Sequence, residues 1–200
     1  MAPFVVNPEA VHEFTTVKAL EAWYRKNHTT APEMWIKIHK KGSGLPSVTN
    51  VEGFEVALCW GWIDAIRKPF DDKSFLQRYT PRGRKSVWST RNQDIVKRLT
   101  DEGRMQPSGQ AQIDAARADG RWDRAYDGSA RMVFPTDLLA AIEAEPAALE
   151  LFQKLNAQNR FALAFRIHNL KTAAGREKKV ASFVEMLKRG ETIYPNGKRK

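Results

Sequence analysis

Hydrophobic and polar residues follow two different periods along this chain, and the change of period predicts its elements. Val17, Leu20, Trp23 and Tyr24 recur at helical spacing behind Thr15 and Thr16, so residues 16–26 read as a capped amphipathic helix. From Met34 to Lys40 the period drops to two. Met34, Ile36 and Ile38 alternate with Trp35, Lys37 and His39, which predicts a strand with one face in the core and one carrying charge. Thr49 stands three residues before Glu52, the spacing of a capping box, and Val51, Phe54, Leu58 and Trp62 mark one face of a helix running to about Gly61. The runs 63–68 and 74–80 flank Pro69-Phe70-Asp71-Asp72-Lys73, which predicts an antiparallel hairpin with a five-residue turn.

Beyond the hairpin the pattern stays helical. Ser89 or Thr90 can cap a helix with Ile95, Val96 and Leu99 inward, and Gly103 suits its end. Pro107-Ser108 opens another, through Ile113 and Ala116 to Gly120, and a polar loop from Arg121 to Ser129 divides an N-terminal α+β unit from a C-terminal bundle. Thr136 is expected to cap residues 137–144, Pro146 to open the next helix, and Asn156 to cap one whose stripe is Phe161, Ala164, Phe165 and His168. The last helix carries Val180, Phe183, Val184 and Leu187 and stops at Gly190. The fold class that results is α+β, a small antiparallel sheet packed with helices, followed by an all-α C-terminal region. The motif-bearing domain is taken as 1–105, the helical region as 106–192, and 193–200 as a disordered basic tail.

Composition adds compartment and charge. Two hundred residues with 42% hydrophobic content can bury a substantial core without staples, and a single cysteine excludes an intramolecular disulfide or a cysteine cluster. The first residues lack the basic start and apolar run of a signal peptide, and no run approaches the roughly 18 apolar residues of a membrane span, so a soluble cytoplasmic protein is expected. The net charge of +10 is concentrated in two stretches, Ile66–Arg98 and Arg160–Lys200. Clustered positive charge favours anionic partners: nucleic acid, nucleotides or an acidic surface. It also opposes sequestration of a cationic peptide, which a chain of this charge repels at ranges beyond the roughly 8 Å screening length.

Scarce residues crowd the segment from Lys40 to Asn92. The loop Lys40-Lys41-Gly42-Ser43-Gly44-Leu45-Pro46-Ser47 joins two lysines and two glycines to a helix start, which is the composition of an anion site, although the spacing of a Walker loop is absent and the same run makes an ordinary strand-to-helix turn. On the hairpin, Asp64 is the expected counter-charge of Arg78, as a plain cross-strand ion pair or as part of a pocket. Trp60, Trp62 and Trp88 beside Arg82, Arg84, Lys85 and Arg91 fit the aromatic and basic mixture of a nucleic-acid surface; Trp62 continues an apolar stripe and so reads as core or its rim, and Trp88 as the more exposed. The histidines His12, His28, His39 and His168 form no metal pair, and Cys59 lies among apolar neighbours unsuited to a nucleophile. No catalytic residue, metal or cofactor is expected.

Several motifs in this order resemble the YdeI/OmpD-associated, bacteriocin-protection family. They are Asn27-His28 with Ala31-Pro32-Glu33-Met34-Trp35, the Lys40–Ser47 loop, Ala57-Leu58-Cys59-Trp60-Gly61-Trp62-Ile63-Asp64, Arg78-Tyr79-Thr80-Pro81-Arg82, Ser86-Val87-Trp88-Ser89 and Gly103-Arg104-Met105-Gln106-Pro107-Ser108-Gly109. The resemblance implies a role in tolerance of bacteriocins and cationic antimicrobial peptides, without implying a reaction or a ligand. Lys41, Ser47, Trp62, Asp64, Arg78, Arg82, Ser86, Trp88, Ser89 and Asn92 are the candidate ligand-binding residues, for an anionic small ligand or protein partner in a stress response. A nucleic-acid-binding module and an enzyme using the Cys59-Asp64/Arg78 region are the alternatives, and the pattern sets no oligomeric state.

Overall fold

The computed structural model describes residues 5–128, 132–170 and 172–197. Among these, eight α-helices and a four-stranded mixed sheet make an α+β protein with a helical C-terminal region. Two compact units result, one of residues 1–88 with 92–124 and one of 89–91 with 125–200.

In the first unit α1 (Val17–Asn27) starts at Thr16, whose side chain accepts from the Ala19 N–H and so satisfies one of the orphan donors of the first turn. It buries Leu20 and Tyr24. The strands are β1 (Val11–His12), β2 (Met34–His39), β3 (Trp62–Pro69) and β4 (Ser74–Pro81), in the order β1-β2-β4-β3. β1 runs parallel to β2 and the other pairs are antiparallel, so the sheet is mixed rather than purely antiparallel. Two residues are too few to show a period, which is why β1 is invisible in the pattern. β2 also departs from the expected half-buried strand. Trp35, on the face expected to be charged, is fully buried, because the register sets it between Val11 of β1 and Arg78 of β4.

The hairpin forms as expected, with Pro69 inside β3 so that the turn shortens to residues 70–73. β3 is an edge strand. A register shift between Asp64 and Arg67, with charged Arg67 and Lys68 and the closing Pro69, blunts that edge against pairing with another chain.

Helix α2 (Asn50–Cys59) carries the capping box in full: Thr49 accepts from the Glu52 N–H and the Glu52 carboxylate accepts from the Thr49 N–H. Its expected stripe is shifted. Val51 is 57% exposed, whereas Phe54, Val56, Ala57, Leu58 and Cys59 are all buried, so the second half of the helix is covered on most sides. Gly61 then turns the chain into β3 at φ +79°, a conformation that a side chain would strain. Helices α3 (Thr90–Asp101) and α4 (Pro107–Ala118) come next. At Gly109 the backbone of α4 lies so close to α2 that a Cβ would fall 2.1 Å from the Cys59 carbonyl oxygen, and only glycine fits.

In the second unit α5 (Thr136–Glu143), α6 (Pro146–Lys154), α7 (Ala157–His168) and α8 (Ala173–Lys188) enclose a core that includes Leu138, Ile142, Phe152, Leu163, Ile167, Phe183 and Leu187. Thr136 is the first helical residue of α5 rather than its cap, which Pro135 supplies without a side-chain bond. The stripe expected on α7 holds in part: Ala164 is buried and Phe161 and Phe165 are half-buried, but the inward face extends over Leu163 and Ile167 and leaves His168 exposed.

The expected disordered tail is bound over its described part. Buried Asn159 accepts from the Tyr194 N–H at 2.9 Å and donates to the Tyr194 carbonyl oxygen at 3.1 Å, and Asn196 Oδ1 accepts from the Asn156 N–H at 2.8 Å. Residues 198–200 of that tail, and Ser129 of the expected 121–129 loop, lie outside the described residues.

Candidate functional site

The loop after β2 uses most of its polar groups internally. Ser47 Oγ accepts from the His39 N–H at 3.0 Å and donates to the Val48 carbonyl oxygen, which ties the loop back to the strand it leaves. Lys40 Nζ donates to the carbonyl oxygens of Asp71 and Asp72 in the hairpin turn, at 3.4 and 3.0 Å. At the start of α2 the Glu52 carboxylate stands where a bound anion would, and hydrogen bonds from Thr49 hold it below its ordinary carboxylate pKa. Lys41 is exposed and, unlike Lys40, makes no side-chain hydrogen bond to the hairpin turn; it has no ion-pair partner among the described residues.

On the sheet, Trp62 is 1% exposed. Its Nε1 donates to the His28 carbonyl oxygen at 3.2 Å, and its ring meets Trp23 and Tyr24 edge to face. It is a core residue. The register sets Asp64 opposite Tyr79, one position from Arg78. Burial, with the charge of Asp64 second, pushes the Tyr79 hydroxyl up. Arg78 makes an ion pair that the sequence did not suggest: its Nε donates to Glu33 Oε2 at 2.6 Å, with both side chains largely covered. Glu33, just before β2, carries no periodic signal that would have nominated it.

Residues 82–88 fold into a braced turn. Arg82 is 6% exposed, its guanidinium lies 3.6 Å from the centre of the Trp88 ring, and its Nη1 donates to the Val87 carbonyl oxygen. A desolvated cation–π contact of this kind contributes about 2 kcal/mol. Ser86 closes the turn twice, donating its N–H to the Gly83 carbonyl oxygen at 2.9 Å and accepting the Gly83 N–H on Oγ at 3.0 Å. Arg121 donates to the Ser86 carbonyl oxygen at 2.9 Å, and Trp122 packs on Trp88 with ring centres 4.9 Å apart. Trp88 is therefore 2% exposed, against the expectation that its polar neighbours would leave it at the surface. The turn brings Arg82, Ser86 and Trp88 together as its frame. The charges it presents outward are those of Arg84 and Lys85, both exposed, and neither has an ion-pair partner among the described residues. Ser89 is buried in the second unit, where it bridges Tyr126, and Asn92 is half-buried on α3.

The ten candidates thus fall into separate local structures: the 40–47 loop, the sheet, the braced turn, the Ser89 bridge and α3. Of them, Arg78 lines a cavity of about 390 Å³ that is also walled by Glu9, His12, Trp23, Asn27 and Glu33. Cys59 is buried, and desolvation raises its thiol to about 11, so it is protonated at neutral pH and a poor nucleophile there. Glu55 on α2 is mostly covered and pairs with Arg98 and Arg104. No group of three metal-ligating side chains occurs among the described residues, and no described helix is long and apolar enough to cross a membrane.

Two family models match successive parts of the sequence. Residues 12–112, half of the chain, match the domain of unknown function DUF8412, and the chain belongs to that family. Residues 131–190 match the family described as bacteriocin-protection, YdeI or OmpD-associated, which supports the resemblance over that part of the chain. This second match spans α5 to α8, whereas the motifs that carry the resemblance in the sequence, Asn27 to Gly109, lie within the first. Comparison with curated proteins and with solved structures returns no match.

Proposed function

We propose that this protein is a non-catalytic binder of an anionic partner, acting in the cytoplasm in a stress response that protects against bacteriocins and cationic antimicrobial peptides. One observation carries the reading: Arg84 and Lys85 stand exposed at the tip of a turn whose frame is fixed by the Arg82–Trp88 stack and the Ser86 hydrogen bonds. A prefixed turn loses little conformational freedom when it binds, so two cations there hold a phosphate or carboxylate group at lower entropic cost than they would on a mobile loop. Base stacking is unsupported, because Trp60, Trp62 and Trp88 are all buried. A thiol raised to about 11 removes the main support for nucleophilic chemistry at Cys59.

The test is a thermal-shift and calorimetric titration with sodium tripolyphosphate, an aspartate-rich peptide and a ten-nucleotide single-stranded DNA. The expected result is salt-sensitive binding of tripolyphosphate or the acidic peptide that disappears in an Arg84→Glu/Lys85→Glu variant. Binding that survives this double reversal contradicts the proposal, and binding of the DNA alone moves the function to nucleic-acid recognition.

A further inference from the structure

The cavity beside Arg78 has a charge balance opposite to that of the chain. Arg78 and Glu33 neutralise each other across 2.6 Å. Glu9 has no ion-pair partner among the described residues, and it is placed by a short 3₁₀ helix, Pro8–Ala10, that Asn7 caps by accepting the Glu9 N–H at 3.1 Å. His12 sits half-buried in the wall, and desolvation lowers its pKa from 6.5, so at neutral pH it is mainly uncharged. The lining therefore sums to one negative charge at neutral pH.

Its aromatic wall is set by packing. Trp23 meets His12 at 5.3 Å between ring centres, and Tyr24 and Trp62, both in the core, hold it edge to face at 5.3 and 5.9 Å. Asn27 donates its Nδ2 to the Trp23 carbonyl oxygen at 2.8 Å, which keeps its Oδ1 as an acceptor. An oriented tryptophan, carboxylates and an amide oxygen around about 390 Å³ offer a ring face and acceptors together. An organic cation with N–H donors satisfies both, through cation–π attraction and charge-assisted hydrogen bonds.

We propose that the cavity formed by Glu9, His12, Trp23, Asn27, Glu33 and Arg78 is a binding site for a guanidinium or amine cation. The cation lies against Trp23 with its N–H groups on the Glu9 carboxylate and Asn27 Oδ1. Its source is either a basic side chain or a free amine, and both present the same chemistry.

Calorimetry and tryptophan fluorescence with Nα-acetyl-argininamide, putrescine and neutral Nα-acetyl-glutaminamide test the site in the full-length protein. Saturable binding of either cation, at least tenfold tighter than the neutral amide, is expected (about 1.4 kcal/mol). Argininamide alone points to a side-chain source, and putrescine to a free amine. Glu9→Gln is expected to weaken the cation about tenfold and Glu9→Lys to abolish binding, with the fold unchanged because Glu9 is exposed. Absence of saturable cation binding to the native protein, equal affinity for the neutral amide, or equal affinity in Glu9→Lys overturns the proposal.

Discussion

The loop at 40–47 and the turn at 82–88 look alike as sequence, each with basic residues, glycine and serine beside aromatic or helical neighbours, yet the fold uses them in opposite ways. In the loop Ser47 and Lys40 spend their donors on backbone carbonyls, and Glu52 fills the anion position at the start of α2. In the turn the buried Arg82, with Ser86 and Arg121, braces the backbone, so that Arg84 and Lys85 are left to solvent. A helix start or a basic run becomes a site only if the chain has not already satisfied it from within.

Substitutions should separate the two segments, beginning with the largest effect. Trp88→Ala removes the plate under Arg82 and is expected to destabilise the first unit by about 3–5 kcal/mol, whereas Leu45→Ala in the exposed loop should change stability by less than about 0.5 kcal/mol in urea unfolding. Similar losses at the two positions would remove the distinction. Arg82→Met keeps much of the volume and loses the cation–π contact, for a cost of about 2 kcal/mol by the same measurement.

Thr49→Ala breaks the capping box at about 1 kcal/mol. Combined with Glu52→Gln it frees the α2 N–H groups, so calorimetry should find tripolyphosphate binding at the loop that the native chain lacks. The pH dependence has a definite sign. The folded pKa of Glu52 lies below its ordinary 4.5, so its contribution is complete above that value and is lost as the pH falls through the lower folded one. Unfolding midpoints of Glu52→Gln should therefore fall less than those of the native protein between about pH 5 and 3. Arg84→Glu/Lys85→Glu should stay within about 0.5 kcal/mol, because neither side chain has an ion-pair partner among the described residues to lose.

Much of the fold was legible because local chemistry decides it. Thr16, Thr49 and Asn156 cap their helices, the hairpin pairs as its two runs imply, and Gly103 and Gly190 follow helix ends at positive φ. The failures share a cause in long-range partners. Trp35 is covered by elements more than twenty residues away in either direction, and Trp88 is covered by Trp122; the Glu33 partner of Arg78, forty-five residues earlier, is likewise beyond any local pattern. For the same reason residue type nominates candidates without fixing their direction. Arg82, Ser86 and Trp88 form the frame, Arg84 and Lys85 next to them carry the outward charge, and Glu9, His12 and Trp23 gave no joint signal because only the fold brings them to one cavity.

The most direct test sets two charge reversals side by side, Lys41→Glu in the loop and Arg84→Glu/Lys85→Glu in the turn, each titrated calorimetrically with tripolyphosphate and the aspartate-rich peptide at low and moderate salt. Anion binding kept in the first and lost in the second is the result expected of a site built on the braced turn. Binding lost in Lys41→Glu and kept in the turn variant would contradict it.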